Sequence, residues 1–231
     1  MNTFRIRYAT LPLALVLLLG MTQTGCSGLN NTGKGAVGGG AAGAVIGGVI
    51  GRATGSTARG AIIGATVGGA AGAVIGRQMD KQAEELDNDL ENADVTPIPG
   101  DDGETAGIAV RFDNDLLFDL GKASLRPGVQ ADLRDLASSL RNYPGHDAVI
   151  VGHASTDGSD QLNQTLSERR ARAVENFLVG QGLAASRIQA YGVGETEPLA
   201  GIPGTSPQNR RVEIAIYPND QYRQQVEAEY N

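Results

Sequence analysis

The sequence predicts an α+β protein in which helices pack on one small sheet, preceded by a glycine-rich helical hairpin and an N-terminal export signal. Glycine is unevenly distributed, since 17 of the 33 Gly lie between Gly28 and Gly76. After residue 106, strand-like and helix-like apolar patterns alternate along the chain. The 231 residues therefore contain at least two kinds of polypeptide.

The charge distribution and the rare residue types exclude several classes of protein. Residues 27–77 carry four basic residues and no acid, whereas residues 78–104 carry ten acids against Lys81. The net charge of −7 argues against a nucleic-acid partner. One Cys and two His exclude a Cys-based zinc site and leave little for a metal or Ser-His-Asp centre. We therefore expect neither a metal nor a cofactor.

Residues 1–25 have the features of an export signal. Arg5 and Arg7 precede the apolar run 11–19, which has the length of a signal-peptide core and is too short to span a bilayer.

The only cysteine, Cys26, directly follows two small residues at 24–25. This arrangement resembles a bacterial lipoprotein signal, although Gln23 stands where such signals usually have Leu. The resemblance implies that Cys26 is lipidated, that Ser27 directs the protein to the outer membrane, and that residues 26–34 form a tether. The alternative is an ordinary secretory signal with an incidental Cys.

The glycine-rich segment contains an internal repeat, because the nine residues 39–47 recur identically at 68–76. Glycines spaced by four share one helix face and let another helix approach closely. This glycine-zipper pattern predicts a helical hairpin over 35–93, whose acidic end extends into solvent. The hairpin would insert in a membrane or form a homo-oligomer, and the alternative is a flexible Gly/Ala tether. Residues 94–106, with two Pro and two Gly, are interpreted as a linker.

Residues 107–217 carry the apolar patterns of a folded domain. Strands are predicted at 108–112, 148–152, 188–191 and 212–217, and amphipathic helices follow the first two. These faces can bury one core with helices on a small sheet. Residues 218–231 are interpreted as a polar C-terminal tail.

Five ordered motifs in this domain are FDLGK at 118–122, GH at 152–153, NQTLSERRARAV at 163–174, YGVGE at 191–195 and NRRVEI at 209–214. Together they resemble the OmpA-like C-terminal domain, a family that includes the peptidoglycan-associated lipoprotein. The resemblance implies a β-α-β-α-β-β sandwich. It also implies a non-catalytic domain that binds the diaminopimelate of the peptidoglycan peptide stem.

The same resemblance implies which residues contact the ligand. Arg170 would bind the carboxylate, because a guanidinium fork matches that group. The family's Asp for the ammonium is replaced here by Ser155, and either Asp157 or Asp119 could supply the missing charge. The motif also places Asn163 and Leu166 in the site. The alternative for Asn163 is a structural role as a hydrogen bonder at the start of a helix.

Two functions are consistent with the sequence. The first is an outer-membrane lipoprotein that tethers the membrane, through the acylated Cys26, to the cell wall, with its C-terminal domain in the periplasm. The second is a glycine-zipper membrane oligomer, such as a pore or secretion component, that uses the same domain as a cell-wall anchor.

Overall fold

A computed structural model describes residues 57–63, 69–100 and 103–230. The export signal at 1–25, Cys26 and the first copy of the glycine repeat at 39–47 lie outside these residues, as do the predictions made for them. The helices are α1 (Thr57–Ile63), α2 (Gly69–Asp89), α3 (Asn114–Leu117), α4 (Gln130–Asn142), α5 (Asp160–Gly180) and α6 (Asp220–Tyr230). The strands are β1 (Asp94–Pro99), β2 (Thr105–Asp113), β3 (His146–Gly152), β4 (Ile188–Gly192) and β5 (Arg211–Pro218).

The five strands form one mixed sheet in the order β1-β2-β5-β3-β4. Strand β5 lies antiparallel to both β2 and β3, whereas β3 and β4 are parallel and are joined through α5. The order β2-α4-β3-α5-β4-β5 confirms the predicted β-α-β-α-β-β sandwich. The carboxyl ends of β3 and β4 therefore lie side by side, next to the start of α5.

The predicted linker 94–106 is wrong over most of its length. Residues Asp94–Pro99 form β1, which pairs antiparallel with β2, so that Pro97 lies opposite Ile108. Proline is tolerated because β1 is an edge strand and needs hydrogen bonds on one side only. Two prolines and two glycines suggested a break in structure, but pairing with β2 outweighs that local preference.

The predicted acidic extension and polar tail also belong to the folded domain. In α2, side chains at helical spacing are buried in the core rather than extended into solvent: Ile75, Met79, Ala83 and Leu86. The tail forms α6, in which Val226 is buried. Tyr222 of α6 donates a hydrogen bond to Gln78 of α2 at 2.6 Å. Helices α2 and α6 therefore pack together beside the sheet.

The two faces of the sheet are covered by different helices. Helices α2, α4, α5 and α6 enclose the main core, which includes Ile108, Val110, Ile150 and Ile214. On the opposite face, Ala58 and Ile62 of α1 pack in a smaller cluster with the buried side chains Val149, Val151 and Ala215. Helices α1 and α2 thus contact opposite faces of the sheet.

Helix α2 begins at a glycine with a left-handed backbone conformation. Gly69, the first residue of α2, has a φ of +73°, which is a left-handed conformation that glycine adopts readily. Further along α2, Gly76 lies close to the backbone where β2 begins, since a Cβ there would be 3.3 Å from the Thr105 nitrogen. Here the missing side chain lets a strand of the same chain approach. In the part of the chain that the structure describes, no helix is long and apolar enough to cross a membrane.

Two other glycines allow α5 to contact the sheet directly. A Cβ on Gly152 would overlap the carbonyl oxygen of Ser167, and a Cβ on Gly192 would overlap the backbone nitrogen of Glu168. Hydrogen bonds reinforce this contact, because the Gly194 nitrogen donates to Ser167 Oγ at 2.9 Å. The ends of β3 and β4 therefore hold the middle of α5 in one position.

We expect Gly152→Ala to lower the free energy of unfolding by about 1–3 kcal/mol, because the added methyl group must displace the helix backbone. Urea denaturation followed by circular dichroism measures the change. Gly180→Ala is the matched control, since no heavy atom lies within 4 Å of its Cβ position, and we expect it to change stability by less than about 1 kcal/mol. Equal effects of the two substitutions would contradict the proposed close contact.

Candidate functional site

Arg170 is a buried cation between α5 and the segment after β2. Only 5% of the residue is exposed. Its Nε donates to the Lys122 carbonyl at 3.0 Å, and its guanidinium carbon lies 5.3 Å from the centre of the Phe118 ring. Among the described residues, neither terminal nitrogen of Arg170 has a hydrogen-bond or ion-pair partner. The Lys122 carbonyl therefore holds one edge of the guanidinium and the Phe118 ring covers one face. The two terminal nitrogens are available to a ligand.

The electrostatic surroundings leave the charge of Arg170 incompletely balanced. Burial lowers its pKa most, the nearby positive charge of Arg210 lowers it further, and Asp115 opposes both effects. Arginine nevertheless stays protonated in proteins. An anion bound at the terminal nitrogens would offset the cost of burying the charge and would weaken the repulsion between Arg170 and Arg210.

Arg210 lies at the edge of the site and forms local ion pairs. Its terminal nitrogens lie 3.3 Å from Asp115 and 4.0 Å from Asp157. The carboxylate side chains of Asp115 and Asp157 are 71% and 60% exposed. These pairs bring together three charged residues from the ends of different elements, next to Arg170.

Ser155 occupies a buried position in the loop after β3. It is 3% exposed, and its hydroxyl donates to Asp157 at 3.0 Å. The structure therefore places a neutral hydroxyl where the family resemblance implies an acid. The neighbouring acid, Asp157, lies at the surface.

Asp119, the other candidate acid, already has two basic partners. Its carboxylate lies 3.0 Å from Lys122 and 3.8 Å from Arg126. The hydrogen bond and charge of Lys122 lower the pKa of Asp119. Asp119 is thus a surface ion-pair residue in the turn that also holds Arg170. Leu166 is half-buried in α5, one turn before Arg170.

Asn163 uses its side-chain amide inside the protein. Its nitrogen donates to the Ser155 carbonyl at 3.0 Å and to a Glu195 carboxylate oxygen at 2.6 Å. Both amide hydrogens are therefore engaged. This geometry supports the interpretation of Asn163 as a hydrogen bonder that joins the start of α5 to two loops.

Sequence reasoning missed two residues of this site. Phe118 was recognised only as part of a motif, but its ring covers the Arg170 guanidinium. Asp115 carried no signal, because its partner Arg210 is 95 residues away in the chain. Within residues 57–63, 69–100 and 103–230, no group of His, Cys, Asp and Glu is arranged to hold a metal ion.

We expect Asn163→Ala to destabilise the domain by about 1–3 kcal/mol, because Ser155 and Glu195 lose a buried hydrogen-bond partner. Thermal and urea denaturation measure this loss. Asn176→Ala is the control, because Asn176 is exposed on the same helix and its removal should cost less than about 0.5 kcal/mol. A fully stable Asn163→Ala variant with impaired ligand binding would instead identify Asn163 as a ligand contact.

Comparison with known proteins agrees with this architecture. Residues 117–211 match the model of the OmpA family, and residues 5–80 match that of the YMGG-like Gly-zipper. Outer membrane porin F of Pseudomonas fluorescens is 38% identical over 109 residues, which cover 46% of this chain and 33% of that protein. Outer membrane protein A of Shigella flexneri is 39% identical over 109 residues, covering 46% of this chain and 31% of that protein.

The chain therefore spans about one third of the length of these curated relatives. A MotB-like protein from Desulfovibrio vulgaris has the same fold, with a TM-score of 0.53 and 23% identity over 64% of this chain and 93% of that chain. The OmpA-family match includes Arg170, Ser155 and the turn that contains Phe118. Residues 117–211 are thus similar to the OmpA family, and residues 5–80 are similar to the YMGG-like Gly-zipper.

Proposed function

We propose that this protein is a non-catalytic outer-membrane lipoprotein that binds the peptide stem of peptidoglycan and tethers the membrane to the cell wall. The observation that carries the proposal is the buried Arg170, whose two terminal nitrogens have no partner among the described residues. A guanidinium fork in a desolvated position matches a carboxylate. Diaminopimelate in the stem peptide presents such a carboxylate.

The geometry around Ser155 supports binding rather than catalysis. His153 lies two residues before Ser155 in the chain, but it is buried and its Nε2 lies 3.8 Å from Glu213. Burial lowers the pKa of His153 to about 3. The Ser155 hydroxyl donates to Asp157 instead, so the Ser-His geometry that nucleophilic catalysis requires is missing from the described part of the site.

The outer-membrane location is supported by the relatives and by the N-terminal sequence. Both relatives described above are named as outer membrane proteins. The signal-like residues 1–25 and the following Cys26 offer a lipid attachment point. One lipidated residue anchors a protein to a membrane without spanning it.

Lipidation is tested by expressing the wild type and Cys26→Ser with radiolabelled palmitate. Cys26 is the only cysteine of the chain, so we expect the wild type alone to incorporate label and to sediment with the outer membrane. Incorporation of palmitate into Cys26→Ser would contradict the anchor.

Peptidoglycan binding is tested by sedimenting the purified protein with isolated sacculi. We expect Arg170→Ala to weaken retention about 10- to 100-fold, because hydrogen bonds to charged groups contribute about 1.5–3 kcal/mol. Arg170→Lys should give an intermediate loss, since it keeps the charge but not the fork.

The neighbouring Arg169 is exposed on α5, and Arg169→Ala is therefore the matched control, which we expect to bind as the wild type does. Circular dichroism verifies that each variant is folded. Unchanged retention of a folded Arg170→Ala variant would remove Arg170 as the binding residue.

A further inference from the structure

The charged groups around the site differ sharply in burial. The cation Arg170 is buried, whereas the carboxylates of Asp115 and Asp157 are mostly exposed. Water and salt screen exposed charges, but they screen a buried charge much less. The site therefore offers a strong contact to an anion and only weak contacts to a cation.

The exposed carboxylates are also already engaged. Asp115 pairs with Arg210, and Asp157 accepts a hydrogen bond from Ser155 in addition to lying near Arg210. Asp119 pairs with Lys122 and Arg126. A ligand ammonium would have to compete with these cations, so it would gain little at any of the three acids.

Ser155 determines this imbalance. Its side chain is buried and contacts Asp157, which lies 4.0 Å from Arg210. A carboxylate at this position would offer an ammonium a desolvated counter-charge. The serine hydroxyl is neutral, and its hydrogen is directed to Asp157. A neutral oxygen attracts an ammonium more weakly than a carboxylate does.

Exposed leucines lie close in the sequence to residues of the site. Leu116 follows Asp115, Leu120 lies in the turn whose Lys122 carbonyl holds Arg170, and Leu162 precedes Asn163. Exposed apolar side chains on the segments that carry the site suit a ligand with an aliphatic chain next to its carboxylate.

We propose that the site recognises an aliphatic carboxylate through Arg170 without requiring the ligand's ammonium group, and that Ser155 is the residue that sets this specificity. The inference rests on the proposed binding of the peptidoglycan stem, and it identifies the carboxylate as the group of the stem that the site recognises. Because the proposed specificity depends on one side chain, small competitors with and without an ammonium group can test it.

The test uses the full-length protein bound to sacculi and three seven-carbon competitors. Diaminopimelate carries carboxylates and ammoniums, pimelate carries carboxylates alone, and 1,7-diaminoheptane carries ammoniums alone. We expect diaminopimelate and pimelate to release the protein at concentrations within about threefold of each other. Diaminoheptane should not release it at concentrations about a hundredfold higher.

Three variants assign the specificity to Ser155. In Ser155→Asp, diaminopimelate should release the protein at a concentration at least about tenfold lower than pimelate does, because the buried carboxylate attracts the ligand's ammonium. Ser155→Asn changes the shape of the side chain but adds no charge, and it should keep the wild-type ratio. Ser186→Asp adds the same charge on an exposed residue between α5 and β4 and should also keep that ratio.

The outcomes separate the inference from the proposed function. A wild-type protein that binds sacculi and is released by diaminopimelate but not by pimelate would overturn the inference and leave the function standing. An unchanged ratio in a folded Ser155→Asp variant would remove Ser155 as its determinant. A wild-type protein that sacculi do not retain, or that neither carboxylate releases, would overturn the proposed function itself.

Discussion

The direct contact of α5 with the ends of β3 and β4 is the constraint on which the rest of the domain depends. Gly152 and Gly192 have no side chains, so the helix backbone at Ser167 lies against the strands. Backbone contact leaves the helix little freedom to rotate or slide, because overlap of backbone atoms cannot be relieved by a rotamer change. Arg170 follows Ser167 by one turn, and its direction toward Phe118 is therefore determined by the packing of the helix.

A buried cation with incomplete partners reduces stability, and the domain offsets only part of that cost. The Lys122 carbonyl and the Phe118 ring each contact the Arg170 guanidinium, but two nitrogens are left without a partner among the described residues. Such incomplete satisfaction is typical of binding sites, where a ligand completes the hydrogen bonds. The charge of Asp115, which pairs with Arg210, balances that of Arg170 only in part.

The second face of the sheet links the glycine-rich segment to the domain. Helix α1 packs Ala58 and Ile62 against this face, and the Thr57 nitrogen donates to the Glu197 carboxylate at 2.9 Å. Gly107 permits the approach, because a Cβ there would lie 2.6 Å from Ile62. The described end of the glycine-rich segment is therefore a packed part of the domain.

The sequence by itself determined the order of helices and strands from 105 to 218 and the motif that contains Arg170, because apolar periodicity and motif spacing are local properties of the chain. Only the tertiary structure decided that Asp94–Pro99 is an edge strand and that α2 buries one face, since strand pairing and helix docking outweigh local signals of proline and charge. It also decided the surroundings of Arg170. Lys122 and Arg210 are 48 and 40 residues from Arg170 in the chain, and only folding brings their backbone and charge to one place.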